Sequence, residues 1–149
     1  MTNVAEARRI VAAVRELGVR DFCVCAGSRN APLIAALAAE RVTTFFDERA
    51  AAFFALGRIK RDGAPVAIVT TSGTAVAELL PASIEAYYSG LPLILITADR
   101  PPRFRGTGAP QSIDQTALFG PHAATDIAQW NRAMPLHINV AFEEPLIDE

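Results

Sequence analysis

Cysteine is nearly missing from this chain: Cys23 and Cys25 are the only two thiols in 149 residues. A disulfide scaffold is therefore excluded, and two lone cysteines suit a reducing compartment, so a cytoplasmic location is expected. Lysine is scarcer still. Of 14 basic residues only Lys60 is a lysine. Coding bias would produce that imbalance, and so would a use for arginine's planar fork on carboxylates or phosphates. There is no basic excess, since 16 acidic residues leave a formal charge of −2; nucleic-acid binders ordinarily carry a basic surplus, and no nucleic-acid partner is expected. Long apolar runs are missing too. The strip from Leu91 to Ala98 falls far short of the roughly 20 residues needed to cross a bilayer, so no membrane span is expected. Glu6, Arg8, Arg9, Arg15 and Glu16 stand where a secretory signal would keep an uncharged core.

What is present is apolar. Hydrophobic residues make up 51% of the chain, and this length suits one domain that buries roughly two-thirds of its unfolded surface. So apolar a composition is high for a short chain that must cover itself, and part of the excess is expected to be interface. Asn3 with Glu6 reads as a capping box ahead of a helix through Val4, Ala7, Ile10, Val11, Val14 and Leu17. Apolar strands are expected at Phe22–Cys25, Val42–Phe46, Val66–Thr70, Leu93–Thr97 and Leu136–Val140. Helices are expected from Ala31, over Arg49–Arg61, and as one unit from Thr74 to Tyr88. The first four strands start 20, 24 and 27 residues apart in the sequence, which leaves room for one crossover helix each time. Continuous apolar strands alternating with helices define an α/β fold: a parallel sheet, six-stranded or nearly so, flanked by helices on both faces.

In such a sheet ligands bind beyond the carboxyl ends of the strands, and the polar motifs gather there. Gly27-Ser28-Arg29 follows the first strand; it suits an anion-binding turn or a simple connector. Glu48 sits between Phe45-Phe46 and Ala50-Ala51-Ala52-Phe53-Phe54. Either its surroundings are dry, which would raise its proton affinity and fit it for acid chemistry, or it is an acid well placed in a helix's first turn. Thr71-Ser72-Gly73-Thr74 could cradle a polar ligand, or cap the next helix at Ser72 or Thr74; it lacks the Gly-Lys-Thr ending of a phosphate-wrapping loop. Residues 98–121 form a long Pro/Gly/Arg-rich loop with Arg100, Arg103, Arg105 and Gln111, which with Arg29 could meet a multiply charged carboxylate or be merely solvated. Cys23 and Cys25 share one side of a strand and read as core. His122 and His137 lack an adjacent nucleophile, and Trp130 reads as a packing anchor.

Taken in order, Cys25-Ala26-Gly27-Ser28-Arg29, Phe46-Asp47-Glu48-Arg49-Ala50, Thr71-Ser72-Gly73-Thr74-Ala75, Thr97-Ala98-Asp99-Arg100-Pro101-Pro102 and Arg105-Gly106-Thr107-Gly108-Ala109-Pro110-Gln111 form a set. Over essentially the whole chain this set resembles the N-terminal, pyrimidine-binding (PYR) domain of the 2-succinyl-5-enolpyruvyl-6-hydroxy-3-cyclohexene-1-carboxylate synthases. These are thiamine-diphosphate enzymes of menaquinone biosynthesis. The resemblance implies the thiamine-diphosphate-binding fold, and a transferase that decarboxylates 2-oxoglutarate and adds the succinyl-semialdehyde unit to isochorismate. It also implies that Glu48 is the catalytic glutamate on N1′ of the cofactor's aminopyrimidine, favouring the imino tautomer that takes the C2 proton. Thr71, Ser72, Gly73 and Thr74 would lie beside the pyrimidine, and Ser28, Arg29, Arg100 and Gln111 would receive the substrates' carboxylates and hydroxyls. The chain departs from the family at Ala26, Asn30 and Pro110, where Pro, Ser and Asn are common.

In that family the diphosphate and its Mg2+ are held by a separate domain through a Gly-Asp-Gly-type motif, and no such motif occurs here. The implied organisation is a single pyrimidine-binding domain over 1–149, with diphosphate-binding and middle domains absent and no metal ligands of its own. Such a chain is expected to be inactive alone. Its site would be completed by the diphosphate-binding domain of a second subunit in a homodimer or homotetramer. Other thiamine-diphosphate carboligases share the glutamate, but are not expected to combine Asp99-Arg100-Pro101-Pro102 with Gly106-Thr107-Gly108. A stand-alone, non-catalytic binding module is the remaining alternative, and intact Glu48 and Arg29 speak against it.

Overall fold

The computed structural model describes residues 1–147. Its elements run α1 (Asn3–Glu16), β1 (Asp21–Val24), α2 (Ala31–Ala36), β2 (Arg41–Thr44), α3 (Glu48–Asp62), β3 (Val66–Thr70), α4 (Thr74–Ala77), α5 (Leu80–Ser89), β4 (Leu93–Asp99) and β5 (Leu136–Ala141). The strands form one sheet in the order β2-β1-β3-β4-β5, and every pairing is parallel. The expected α/β class therefore stands, and among the described residues the sheet has five strands, one at each of the five apolar runs.

Pleating explains how one sheet fills two cores. Along β3 and β4, Ala67, Val69, Ile94 and Ile96 point to the side carrying Val11, Val14 and Leu33, whereas Val66, Ile68, Leu93 and Leu95 point to the side carrying Leu56, Ile59 and Leu79. Both faces of these central strands are thus apolar, which produces continuous hydrophobic runs instead of alternation. Strand β2 behaves differently. All four of its residues are exposed at the sheet edge, and Phe46, Phe53 and Phe54 beyond it are exposed as well. Of the apolar run Val42–Phe46, only Phe45 packs against the core; Val42 and Phe46 are uncovered surface.

Two local expectations are corrected. Thr2, not Asn3, caps α1: its hydroxyl accepts from Ala5 N at 3.1 Å. Asn3 instead turns its amide to the chain's far end, donating to Glu143 O at 2.8 Å and Pro145 O at 2.9 Å. Glu6 is hydrogen-bonded to Arg9 rather than to the cap. The helix expected over Thr74–Tyr88 is two helices, α4 and α5. Pro81 has no N–H to give to the Ala77 carbonyl, and its ring crowds that carbonyl, so the first helix stops there.

Candidate functional site at the carboxyl edge

The order β2-β1-β3 means that the chain leaves β1 toward one side and resumes at β3 on the other. A crevice forms at such a reversal, and the loops after β1 and β3 flank it. These loops are in contact. A Cβ on Gly27 would fall 2.5 Å from Thr71 Cβ, so the first loop can lie against the third only with glycine at this position. Asn30, fully buried, closes the first loop by accepting from Gly27 N at 2.9 Å and donating to Cys25 O at 2.9 Å. That side-chain clasp leaves Ser28 exposed at the tip.

Arg29 points elsewhere. It is 6% exposed, donates to Phe142 O at 3.1 Å, and pairs with Glu144 at 2.9 Å. Arg100 donates through Nε to Pro110 O at 2.9 Å and lies over the Phe104 ring. Arg103 pairs with Glu143 at 2.8 Å, and Arg105 with Asp99 at 3.2 Å. The four arginines expected at one edge are therefore each engaged by the protein itself. Two of them, Arg29 and Arg103, tie the loops to the segment after β5.

Glu48 is the first residue of α3, whose N-cap is Asp47; the Asp47 carboxylate accepts from Ala50 N at 2.6 Å. The helix start thus has its own cap, which leaves the Glu48 carboxyl for other work. Glu48 is half-buried and near enough to Cys25 for its charge to help raise that thiol. Phe45 packs on Phe54 with ring centres 5.2 Å apart. A cleft of about 250 Å³ opens beside them, lined by Ala26, Thr44, Phe45 and Phe46. Of the two readings of Glu48, the acid in a helix's first turn is present, and the dry enclosure is only half built: Phe46 and Phe54 are exposed, and among the described residues β2 is the edge strand.

In the third loop, Thr71, Ser72 and Gly73 are buried and Thr74 is exposed. Neither Ser72 nor Thr74 caps the next helix; Gly73 holds the N-cap position of α4, with φ 81° and ψ −137°. A Cβ there would lie 2.8 Å from Gln111 Cα, so the third loop meets the fourth at this glycine. Gln111, itself at φ 52°, is exposed. Gly27–Thr71 and Gly73–Gln111 thus join loops one, three and four.

Burial pushes the Cys23 and Cys25 thiols up to about 12, so both are inert packing groups near neutral pH. Trp130 is a packing anchor whose indole donates to Met134 O at 2.7 Å. His137, which has no nucleophile adjacent in sequence, is a buried side chain of β5. It is 3% exposed, stacked edge-on with Phe119, and burial lowers its pKa from 6.5 to about 4. A base that binds protons less readily when folded stabilises the fold above the unfolded value and loses that contribution as pH falls. Between pH 6.5 and pH 4 the domain is expected to lose about 3 kcal/mol through this group. Urea unfolding at pH 7 and pH 4 should show that loss in the wild type and a much smaller one in His137→Gln; equal losses would assign the acid sensitivity to other groups.

Sequence reasoning also missed Gln115, on the loop after β4, and Asn139, on β5 beside it. Asn139 had a signal, a lone amide inside an apolar strand, and Gln115 had none beyond a polar neighbourhood. Among the described residues, no group of three His, Cys, Asp or Glu side chains is placed to hold a metal ion.

A parallel, doubly wound sheet whose clasped loops frame a crevice at the switch point defines a ligand-binding α/β domain. Residues 4–118 match the family described as "Thiamine pyrophosphate enzyme, N-terminal TPP binding domain". The chain belongs to that family and has its thiamine-diphosphate-binding fold. It is 48% identical to the 2-succinyl-5-enolpyruvyl-6-hydroxy-3-cyclohexene-1-carboxylate synthase of Bdellovibrio bacteriovorus, over 99% of this chain and 31% of that protein. It is 54% identical to the synthase of the same name from Akkermansia muciniphila, over 86% of this chain and 27% of that protein. A Halobacterium salinarum synthase, also of that name, is 52% identical over 79% of this chain and 21% of its own length. The chain therefore spans less than a third of the length of these relatives. No helix among the described residues is long and apolar enough to cross a membrane.

Proposed function

We propose that this chain is the pyrimidine-binding domain of a cytoplasmic 2-succinyl-5-enolpyruvyl-6-hydroxy-3-cyclohexene-1-carboxylate synthase. The reaction would be decarboxylation of 2-oxoglutarate and transfer of its four-carbon unit to isochorismate. The observation that carries the reading is Glu48 at the head of α3, two residues beyond Phe46 of the Ala26/Thr44/Phe45/Phe46 cleft and close enough to Cys25 for its charge to be felt there; the relatives' shared name supports the choice of reaction. When bound, thiamine diphosphate supplies the electron sink that decarboxylation and carbon–carbon bond formation both require.

The chain's own residues have narrower tasks. The Glu48 carboxyl holds or shares a proton at a ring nitrogen of the pyrimidine. Phe45 and Phe46 supply apolar walls, and a cleft below the roughly 300 Å³ of a typical ligand pocket suits one ring rather than a whole cofactor. Thr71, Ser72, Gly73 and Thr74 form the neighbouring wall of the crevice. Ser28 and Gln111 offer an exposed hydroxyl and amide, while Arg29 and Arg100 bring positive charge toward two dianionic substrates. For Arg29, a substrate carboxylate would have to replace Glu144.

The remaining half of the site would come from outside these residues. The exposed Phe46, Phe53 and Phe54 form the face that the diphosphate-binding domain of a second subunit would cover, in a homodimer or homotetramer, with Mg2+ held by that domain. Residues 1–149 would then be one domain with half an active site. Purified alone and given thiamine diphosphate, Mg2+, 2-oxoglutarate and isochorismate, the chain should show no turnover. Steady product formation by the isolated chain would overturn this division of labour.

A further inference from the structure

Gln115 lies on the long loop after β4, outside any helix or strand, yet is 0% exposed. An amide buried in that way is costly unless its polar atoms are bonded. Its oxygen accepts from Gly73 N at 3.0 Å. Its nitrogen donates to Ala98 O at 2.9 Å and to Asn139 Oδ1 at 2.7 Å. The orientation is not arbitrary, because a backbone N–H can only donate and a carbonyl can only accept.

The chain of bonds continues with its direction forced. Asn139 donates to Asp99 Oδ2 at 2.9 Å, so its oxygen must be the acceptor shared by Gln115 and Thr97 Oγ1, the latter at 2.8 Å. Thr97 has given its one proton away and must accept from His137 Nε2 at 2.7 Å; this selects the neutral tautomer with the proton on Nε2. Asp99, 1% exposed, accepts from Arg100 N at 2.8 Å and from Arg105 at 3.2 Å. From Gly73 to Arg100 every link has one allowed polarity. Reversing any of them would leave a buried donor facing a donor.

We infer that Gln115 is a positioning residue that ties the Thr71–Thr74 loop to the Asp99–Gln111 loop and holds them in one register. Gly73 takes its N-cap position without any side-chain cap of its own, so Gln115 supplies the acceptor that this N–H would otherwise lack. The same glycine abuts Gln111. The two loops are thus joined by a packing contact at one point and a hydrogen-bonded chain at another, and two separate attachments fix an orientation where one would leave a hinge. That these are the cofactor-facing and substrate-facing loops rests on the function proposed above; the tie itself does not.

Amide hydrogen exchange on this chain, read by NMR, separates a tie from a local staple. Gln115→Met keeps the volume and removes the bonds, and Gln115→Ala removes both. In either, the Gly73 amide should exchange roughly 100-fold faster and the Arg100 amide, two links away on Asp99, about tenfold faster. The Phe22 and Cys23 amides in β1 should change by no more than about twofold. Acceleration at Gly73 with Arg100 unchanged would overturn the inference, and so would uniform acceleration that includes β1. If neither variant folds, Asn139→Ala cuts the next link, and Gly73 must then accelerate with Arg100 for the tie to stand. A titration with 4-amino-5-hydroxymethyl-2-methylpyrimidine reads the other premise. Shifts at Gly73 and Thr74 in the wild type that weaken in Gln115→Met support the positioning role. The expected acceleration at Gly73 and Arg100, with no pyrimidine shifts even when this domain is joined to a diphosphate-binding domain, would sustain the tie and overturn the cofactor reading instead.

Discussion

Glu48→Gln, introduced where this domain is joined to a diphosphate-binding domain, is expected to slow cofactor activation by about 10²- to 10⁴-fold, the usual worth of a positioned proton-transfer group. The substitution is nearly isosteric, and the backbone is already capped by Asp47, so α3 should start where it does now. What changes is proton chemistry: an amide can donate a hydrogen bond to a ring nitrogen, but it cannot share or release a proton there. The measurement is the exchange rate of the C2 hydrogen of bound thiamine diphosphate against deuterium, with cofactor affinity determined in parallel. A near wild-type exchange rate would remove Glu48 from its role. A normal rate with weakened binding would make it a mere contact.

The second large effect is expected at Gly73→Ala. This residue sits at φ 81° and ψ −137°, in a region that side-chain-bearing residues adopt only with strain of about 1–3 kcal/mol. The added Cβ also lies 2.8 Å from Gln111 Cα, which is backbone and cannot rotate away, and overpacking of that sort costs about 1–3 kcal/mol more. A combined loss of about 4 kcal/mol is expected in urea unfolding. Any relief must come from displacing the Gln111 backbone, so the surviving protein should also show altered Gln111 and Arg100 amide resonances. Gly63→Ala provides a lower bound: it lies in the left-handed helical region at φ 71° and ψ 0° with nothing within 4 Å of the new Cβ, so it reports only the milder strain of that region. Equal losses in the two variants would show that neither the stricter backbone at Gly73 nor its contact with Gln111 contributes.

Both effects depend on features of unequal visibility. Glu48 stood out in the sequence because a carboxyl between two aromatic pairs is chemically odd, and its place at the start of α3 follows from local capping. Its half-open surroundings did not stand out, since local pattern cannot tell an apolar run that is buried from one left on an edge strand. Pro81 was legible and decisive: the missing N–H splits a helix that apolar periodicity alone would have continued. The cap at Thr2 shows the reverse case, two adjacent residues equally suited to the role and separated only because Asn3 has a distant task. Gln115 is the most instructive. Its partner Gly73 is 42 residues away, and nothing within its own neighbourhood distinguishes it from a solvated glutamine.

The sequence by itself determined the class of this domain and the edge where its chemistry gathers. Apolar runs spaced one crossover helix apart allow little besides a parallel sheet, and parallel strands bring every following loop to the same side. It also determined the family, through five motifs in order. The tertiary structure alone decided which loops touch and what each charge does. Strand order brought Gly27 to Thr71 and Gly73 to Gln111. The Arg29 guanidinium reaches Phe142 O across 113 residues of chain, and Asp99 became the anchor of a buried polar chain. Those outcomes arise from contacts between segments distant in sequence. A hydrogen bond needs its donor and acceptor within about 3 Å, and only the closed fold specifies which groups arrive there.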